Sequence, residues 1–206
     1  LGGDDTLTLG EGENIVIAGQ GADTVNTGSG SDTVIGDSGE INFEAGVMTD
    51  LQSTGTNSGG DDSITTLGGD NTVVGGFGSD TITTDSGNDS ILGDNGELSY
   101  SAGILTNAVS SAAALGDADT LNVGEGDNIV IAGQGADSVN TGSGSDTVIG
   151  DSGEINFEAG VMTDLQSTGT NSGGDDSITT LGGDNTVVGG FGSDTITTDS
   201  GNDSIL

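Results

Sequence analysis

The chain has 206 residues, with 34 Asp plus Glu, no Lys, Arg, His, Cys, Pro or Trp, and a formal charge of −34. So acidic a chain repels nucleic acid, offers no thiol or imidazole, and repels itself when compact. Low hydrophobicity with high charge ordinarily gives disorder, so an ordered state here needs an external cation. No run approaches the roughly 18 apolar residues of a membrane span, and no signal peptide is visible.

Taken from the N-terminus, the first ordered signal is a nine-residue step. Asp5, Asn14, Asp23 and Asp32 lie nine apart, each followed two residues later by an aliphatic: Leu7, Val16, Val25 and Val34. Two residues before each stands a glycine. This step fits neither a helix nor a coiled coil, which repeat at about 3.6 and 3.5. It fits a three-residue strand followed by a six-residue glycine turn, with the aliphatic mid-strand and pointing inward. Residues 3–36 therefore predict four short strands, two to a coil, with coils about 4.8 Å apart.

The pattern breaks from Gly36 to Gly59 and resumes in residues 60–93 with Asp62, Asn71, Asp80 and Asp89, an offset of 57. A second break runs from Gly93 to Gly116. Asp119, Asn128, Asp137 and Asp146 form a third block; Asp176, Asn185, Asp194 and Asp203 form a fourth. The units are thus 3–59, 60–116, 117–173 and an incomplete 174–206, read as one continuous solenoid segment (1–206) of a longer array. Residues 14–92 and 128–206 differ only at Thr24 against Ser138, which suggests duplication of a pair of units, as in long repetitive surface proteins.

Each break carries a variant: Gly39-Glu40-Ile41-Asn42-Phe43, Gly96-Glu97-Leu98-Ser99-Tyr100 and Gly153-Glu154-Ile155-Asn156-Phe157. From Asp32 to Asp62 is 30 residues, or nine, nine and twelve. The favoured reading is a third coil with one longer half and without its usual ligands. The rival is a β-hairpin, Ile41 to Phe43 and then Val47 to Leu51, projecting from the roll. A loop with no further purpose also fits.

Alternate nonapeptides lie on opposite faces. One face shows Thr6, Thr8, Thr24, Asn26, Ser63, Thr65, Thr81 and Thr83; the other shows Ile15, Ile17, Thr33, Ile35, Thr72, Val74, Ser90 and Leu92. The apolar face has two readings: cover by the break segment through Val47, Met48 and Leu51, or lateral self-association through Ile17, Ile35, Val74 and Leu92. The hydroxyl face reads first as a β-propensity ladder. An ice-binding surface is the alternative, which Glu44 would spoil if the break forms a coil.

The stretches Gly19-Gln20-Gly21-Ala22-Asp23-Thr24-Val25-Asn26 and Gly28-Ser29-Gly30-Ser31-Asp32-Thr33-Val34-Ile35 resemble the G-G-x-G-x-D-x-U-x repeat of RTX (haemolysin-type calcium-binding) proteins. The resemblance covers the four blocks. It implies an all-β fold, a right-handed parallel β-roll or β-solenoid of nine-residue half-turns. It also implies several Ca²⁺ ions between turns of successive coils, held by Asp carboxylates and turn carbonyls. Independently, Asp stacked every 18 residues would repel unless a divalent ion intervened, and six to eight oxygens suit Ca²⁺. The nominated ligands are Asp5, Asp23, Asp32, Asp62, Asp80, Asp89, Asp119, Asp137, Asp146, Asp176, Asp194 and Asp203. Asn14, Asn71, Asn128 and Asn185 depart from the family pattern and imply weaker or incomplete sites. Asp37, Asp94 and Asp151 either extend the ladder or form ordinary Asx turns. Asp4, Asp61, Asp175, Glu11 and Glu13 are expected to face solvent.

Catalysis is not expected: the acidic groups stand in metal-ligand register, and a solenoid with one small aliphatic per half-turn leaves no cleft. The expected role is a calcium-folded structural module of a secreted bacterial protein, at the cell surface or in a matrix, as an adhesin or filament spacer. The resemblance adds export by type I secretion before folding. The alternatives are a secretion and folding module of an RTX enzyme or toxin, or an ice-binding solenoid.

Overall fold

The computed structural model describes residues 2–55, 59–111, 116–169 and 173–206. Parts of all three breaks, residues 56–58, 112–115 and 170–172, lie outside the described residues. The strands follow the nine-residue step. The first unit gives β1 (Thr6–Thr8), β2 (Ile15–Ile17), β3 (Thr24–Asn26), β4 (Thr33–Ile35), β5 (Gly39–Glu44) and β6 (Val47–Ser53). The second gives β7 (Ser63–Thr65), β8 (Thr72–Gly76), β9 (Thr81–Thr83), β10 (Ser90–Asp94), β11 (Gly96–Ser101) and β12 (Ile104–Ser110). The third gives β13 (Thr120–Val123), β14 (Ile129–Ile131), β15 (Ser138–Thr141), β16 (Thr147–Ile149), β17 (Gly153–Glu158) and β18 (Val161–Ser167). The last gives β19 (Ser177–Thr179), β20 (Thr186–Val188), β21 (Thr195–Thr197) and β22 (Ser204–Ile205). No helix occurs among the described residues.

The short strands alternate between two parallel eight-stranded sheets, the arrangement of a β-roll. Sheet one runs β1-β3-β7-β9-β13-β15-β19-β21 and sheet two runs β2-β4-β8-β10-β14-β16-β20-β22. Register follows the repeat: Leu7 pairs with Val25 and Val25 with Ile64, while Val16 pairs with Val34 and Val34 with Val73. These mid-strand aliphatics stack between the two sheets as the first core. The turns demand glycine for a reason visible at Gly21. Its φ is +117°, and a Cβ there would stand 2.5 Å from the carbonyl carbon of Gly3 in the preceding coil.

The breaks are hairpins, not third coils. β5–β6, β11–β12 and β17–β18 are antiparallel pairs, and they join edge to edge into a six-stranded sheet, β18-β17-β12-β11-β6-β5. Each turns on two residues with positive φ, such as Ala45 at 51° and Gly46 at 83°. That is the two-residue turn whose twist matches paired strands. Each carries one extra residue opposite a register shift. Thr49, Thr106 and Thr163 take that place, and their hydroxyls donate to the carbonyls of Asn42, Ser99 and Asn156.

This third sheet lies over sheet two and makes a second core. Ile35, Val74, Leu92, Ile131 and Ile149 pack against Leu51, Leu98, Ala108 and Ile155. The apolar face is therefore covered from within. Ile35, Val74 and Leu92 have no exposed surface, so lateral packing through them is replaced by the hairpins; Ile17 keeps 38%. Of the expected covering residues, Leu51 is buried, Met48 is partly buried and Val47 stays exposed. Glu44 ends β5 in the hairpin sheet, not on the hydroxyl face. Sheet one keeps an uninterrupted outer face with two ranks of Thr, Ser and Asn.

Candidate metal centre

The six-residue turns form two edges of the roll, and the edges differ. Turns from sheet two back to sheet one end in Asp5, Asp23, Asp62, Asp80, Asp119, Asp137, Asp176 and Asp194. The hairpins leave from this edge. Turns from sheet one to sheet two end alternately in Asn14, Asp32, Asn71, Asp89, Asn128, Asp146, Asn185 and Asp203.

Along both edges one side-chain oxygen is committed to the main chain. On the hairpin edge the N–H of Asp5 donates to Oδ1 of Asp23, Asp23 to Asp62, Asp62 to Asp80, and so on to Asp194, at 2.7–3.0 Å. The opposite edge repeats the ladder from Asn14 to Asp203 at 2.8–3.0 Å. These bonds fix every side chain of both rows at one height per coil. The sequence-nominated residues are therefore brought together in stacks.

The second oxygen is unpartnered in seven Asp residues on the hairpin edge and in two, Asp32 and Asp89, on the opposite edge. On the hairpin edge Oδ2 of Asp5, Asp23, Asp62, Asp80, Asp119, Asp137 and Asp176 is buried with no hydrogen-bond partner. Asp37 and Asp94, at the hairpin roots, each add an unpartnered Oδ1. Each such group costs about 1–3 kcal/mol, against a total stability of about 5–15 kcal/mol for an ordinary domain. Seven in a line call for a cation. The opposite edge meets its Asp residues differently. Thr141 donates to Oδ2 of Asp146 at 2.7 Å, and Asp32 and Asp89, whose Oδ2 atoms are unbonded, each follow a Thr by the same five residues.

Main-chain oxygens face the hairpin-edge carboxylates. A Cβ at Gly75 would lie 2.3 Å from the Gly93 carbonyl and 2.4 Å from Oδ2 of Asp80. At Gly93 the same position meets the Ala132 carbonyl at 2.3 Å and Oδ2 of Asp119 at 2.4 Å, and Gly150 repeats it with Gly189 and Asp176. Carboxylate and carbonyl oxygens from successive coils thus converge where only glycine fits. Among the described residues no three acidic side chains close on one point. Carbonyls must complete the oxygen shell that Ca²⁺ takes, and the residues present fit that ion.

Asp37, Asp94 and Asp151 are not free Asx turns. Each root carboxylate accepts a main-chain N–H from the neighbouring coil, Phe77 at 2.6 Å for Asp37, Gln134 for Asp94 and Phe191 for Asp151. They lie close enough to the row to repel it. Burial, with like charge from Asp37 and Asp23, pushes Asp62 up to about 7, and burial with Asp62, Asp37 and Asp94 pushes Asp80 to about 8. Asp119 rises to about 10 by burial and by Asp80, Asp94 and Asp137; Asp137 rises to about 8 by burial and by Asp176, Asp94 and Asp151. Asp37 reaches about 6 and Asp94 and Asp176 about 7, burial being the first cause each time.

Asp4, Asp61 and Asp175 are exposed, as expected, yet each accepts an N–H from the next coil: Ala22, Ser79 and Ser193. Asp70, Asp127 and Asp184 do the same on the other edge. This outer ladder is missed by sequence reasoning, although Asp recurs one place before the inner position in all six turns.

The sequence model of the RTX calcium-binding nonapeptide repeat matches four segments of the chain, residues 1–34, 65–97, 114–153 and 170–205. No individual curated protein matches it.

Proposed function

The chain belongs to the RTX calcium-binding nonapeptide-repeat family, and on that premise we propose that it is a calcium-folded structural segment of a secreted bacterial repeat protein, a spacer in an adhesin, matrix or filament. The observation that carries this reading is the buried line of unpartnered Asp oxygens on the hairpin edge. Asp23, Asp62, Asp80, Asp119, Asp137 and Asp176 would hold the ions, with Asp5 and Asp194 at the ends of the row and Asp37, Asp94 and Asp151 beside it. Bound Ca²⁺ supplies the positive charge that a chain without Lys or Arg lacks. The role proposed is structural and not catalytic: one oxygen of each row carboxylate is held by the main-chain ladder and the other is left for the ion. A self-repelling chain suits export unfolded, with metal binding serving as folding free energy outside the cell.

The test is far-UV circular dichroism during Ca²⁺ titration, reversed by a chelator, with Mg²⁺ as control. A disordered spectrum turning to β with Ca²⁺ and not Mg²⁺ is expected. A β spectrum unchanged by chelation would sink the proposal. A second reading, ice binding, is favoured by one observation, the uninterrupted Thr, Ser and Asn ranks of sheet one. Thermal hysteresis of the calcium-loaded chain decides it. A role as the export module of an enzyme or toxin predicts few units in the full gene, whereas the spacer predicts many.

A further inference from the structure

We propose that Asn14, Asn71, Asn128 and Asn185 act as built-in substitutes for a cation along one edge of the roll, so that calcium is confined to the hairpin edge. The inference rests on the calcium-binding reading above and assigns the metal to one side.

The amide group of each Asn occupies the position a bound cation would need. Nδ2 of Asn71 donates to the carbonyls of Leu67 at 3.0 Å and Gly69 at 2.9 Å in its own turn. Nδ2 of Asn128 donates to Gly124 and Gly126 and also meets Oδ1 of Asp146 at 3.0 Å. Asn14 and Asn185 repeat that three-oxygen arrangement with Gly10, Gly12 and Asp32, and with Leu181, Gly183 and Asp203. Two turn carbonyls and a carboxylate are the oxygen types a calcium ion would recruit. Here a donor NH₂ satisfies them.

The orientation of the amide is dictated from both sides. Its Oδ1 accepts the N–H of the preceding Asp, as Asp32 does to Asn71 and Asp89 to Asn128, so Nδ2 must face the carbonyls. Alternation completes the argument. The ladder runs Asn14, Asp32, Asn71, Asp89, Asn128, Asp146, Asn185, Asp203, so no two carboxylates are neighbours in that row. The hairpin-edge row is Asp throughout. Five residues before the ligand position, the Asn-bearing edge carries Thr27, Thr66, Thr84, Thr141, Thr180 and Thr198, with Leu9 and Val123 in the other two places, whereas the sequence has Ala18, Asn57, Gly75, Ala114, Ala132, Asn171 and Gly189 there for the hairpin edge. Thr141 donates to Asp146 while Oδ2 of Asp32 and Asp89 stays unpartnered, so on this edge the Asn amides carry the substitution.

Calcium bound per chain, counted by native mass spectrometry and calorimetry with CaCl₂, tests this on the parent and two variants. The double variant Asn71→Asp with Asn128→Asp leaves an unbroken run of carboxylates from Asp32 to Asp146. It should bind more ions than the parent. Asp80→Asn should bind fewer ions and keep more β structure in chelator. A folded double variant that binds no additional calcium overturns the inference. Should that variant fail to fold, the parent itself decides through its ¹⁵N side-chain amide signals. Those of Asn71 and Asn128 should stay in place when Ca²⁺ is exchanged for the similar-sized Cd²⁺ in the loaded, folded chain, while backbone amides of Asp62 and Asp80 move. Asn side-chain signals displaced as far as those backbone amides would overturn it and leave the calcium-folded module standing. A parent that binds no calcium removes both readings.

Discussion

A carboxylate oxygen that accepts a main-chain N–H and one that has no donor do different work, and Asp80 has both. Its Oδ1 takes the N–H of Asp62 at 2.8 Å, and its Oδ2 is buried without a partner. Asp80→Ala removes both, stranding a buried N–H as well as a ligand. We expect it to lower the stability of the calcium-loaded chain by at least about 1–3 kcal/mol. Asp61→Ala, in the exposed outer ladder where it accepts the N–H of Ser79, should change it by no more than about 0.5 kcal/mol. Thermal unfolding in excess calcium compares the two, and equal losses would contradict the division into inner and outer ladders. Much of this was legible in the sequence, because the inner positions follow from the nine-residue step. The special status of Asn was not. Its alternation with Asp is visible along the chain, but it reads as a weakened ligand until the amide is seen to reach the carbonyls two and four residues earlier in its own turn.

At the scale of elements, the parallel strands were readable and the hairpins were not. Two physical features hid them. The tight turn uses Ala45-Gly46, Ala102-Gly103 and Ala159-Gly160 in place of the Asn-Gly that usually marks it. An extra Thr in the second strand then breaks the two-residue alternation. With both signals blurred, 30 residues divide as readily into a coil as into a hairpin. The Ala residues hold φ near 52° at a cost of roughly 1 kcal/mol each. Ala102→Asn at this exposed turn should therefore raise the stability of the folded chain, by about 0.5–1 kcal/mol in denaturant melts. The hairpins also cover sheet two. Leu98 is fully buried in that interface, and Leu98→Ala should cost about 2–5 kcal/mol. Replacing β11 and β12 by a short linker would uncover Leu92 and Ile131. We expect that variant to self-associate, as light scattering after size exclusion would show. A monodisperse, folded product would mean the cover is dispensable.

For the whole molecule, proton and calcium should compete for the same row. Asp37, Asp62, Asp80, Asp94, Asp137 and Asp176 rise to about 6–8 in the folded chain from a reference of 3.8. A raised folded value means the roll holds more protons than the unfolded chain. Its protonation-linked stability is full below about 4 and is lost as pH climbs through 6–8 for these groups and through about 10 for Asp119. Metal-free chain should thus gain β structure on acidification and lose it toward pH 8, about where calcium binding becomes most favourable. Circular dichroism across pH in chelator checks this, and a pH-independent spectrum would count against it. The ladder bonds have one more consequence. Their partners lie alternately 18 and 39 residues apart, and the hairpin-to-hairpin link from Ser53 to Gly96 spans 43. None reaches beyond an adjacent unit. A unit of 57 residues can therefore be gained or lost by recombination without refitting anything remote, so the length of such a protein is free to drift or be selected like the setting of a ruler.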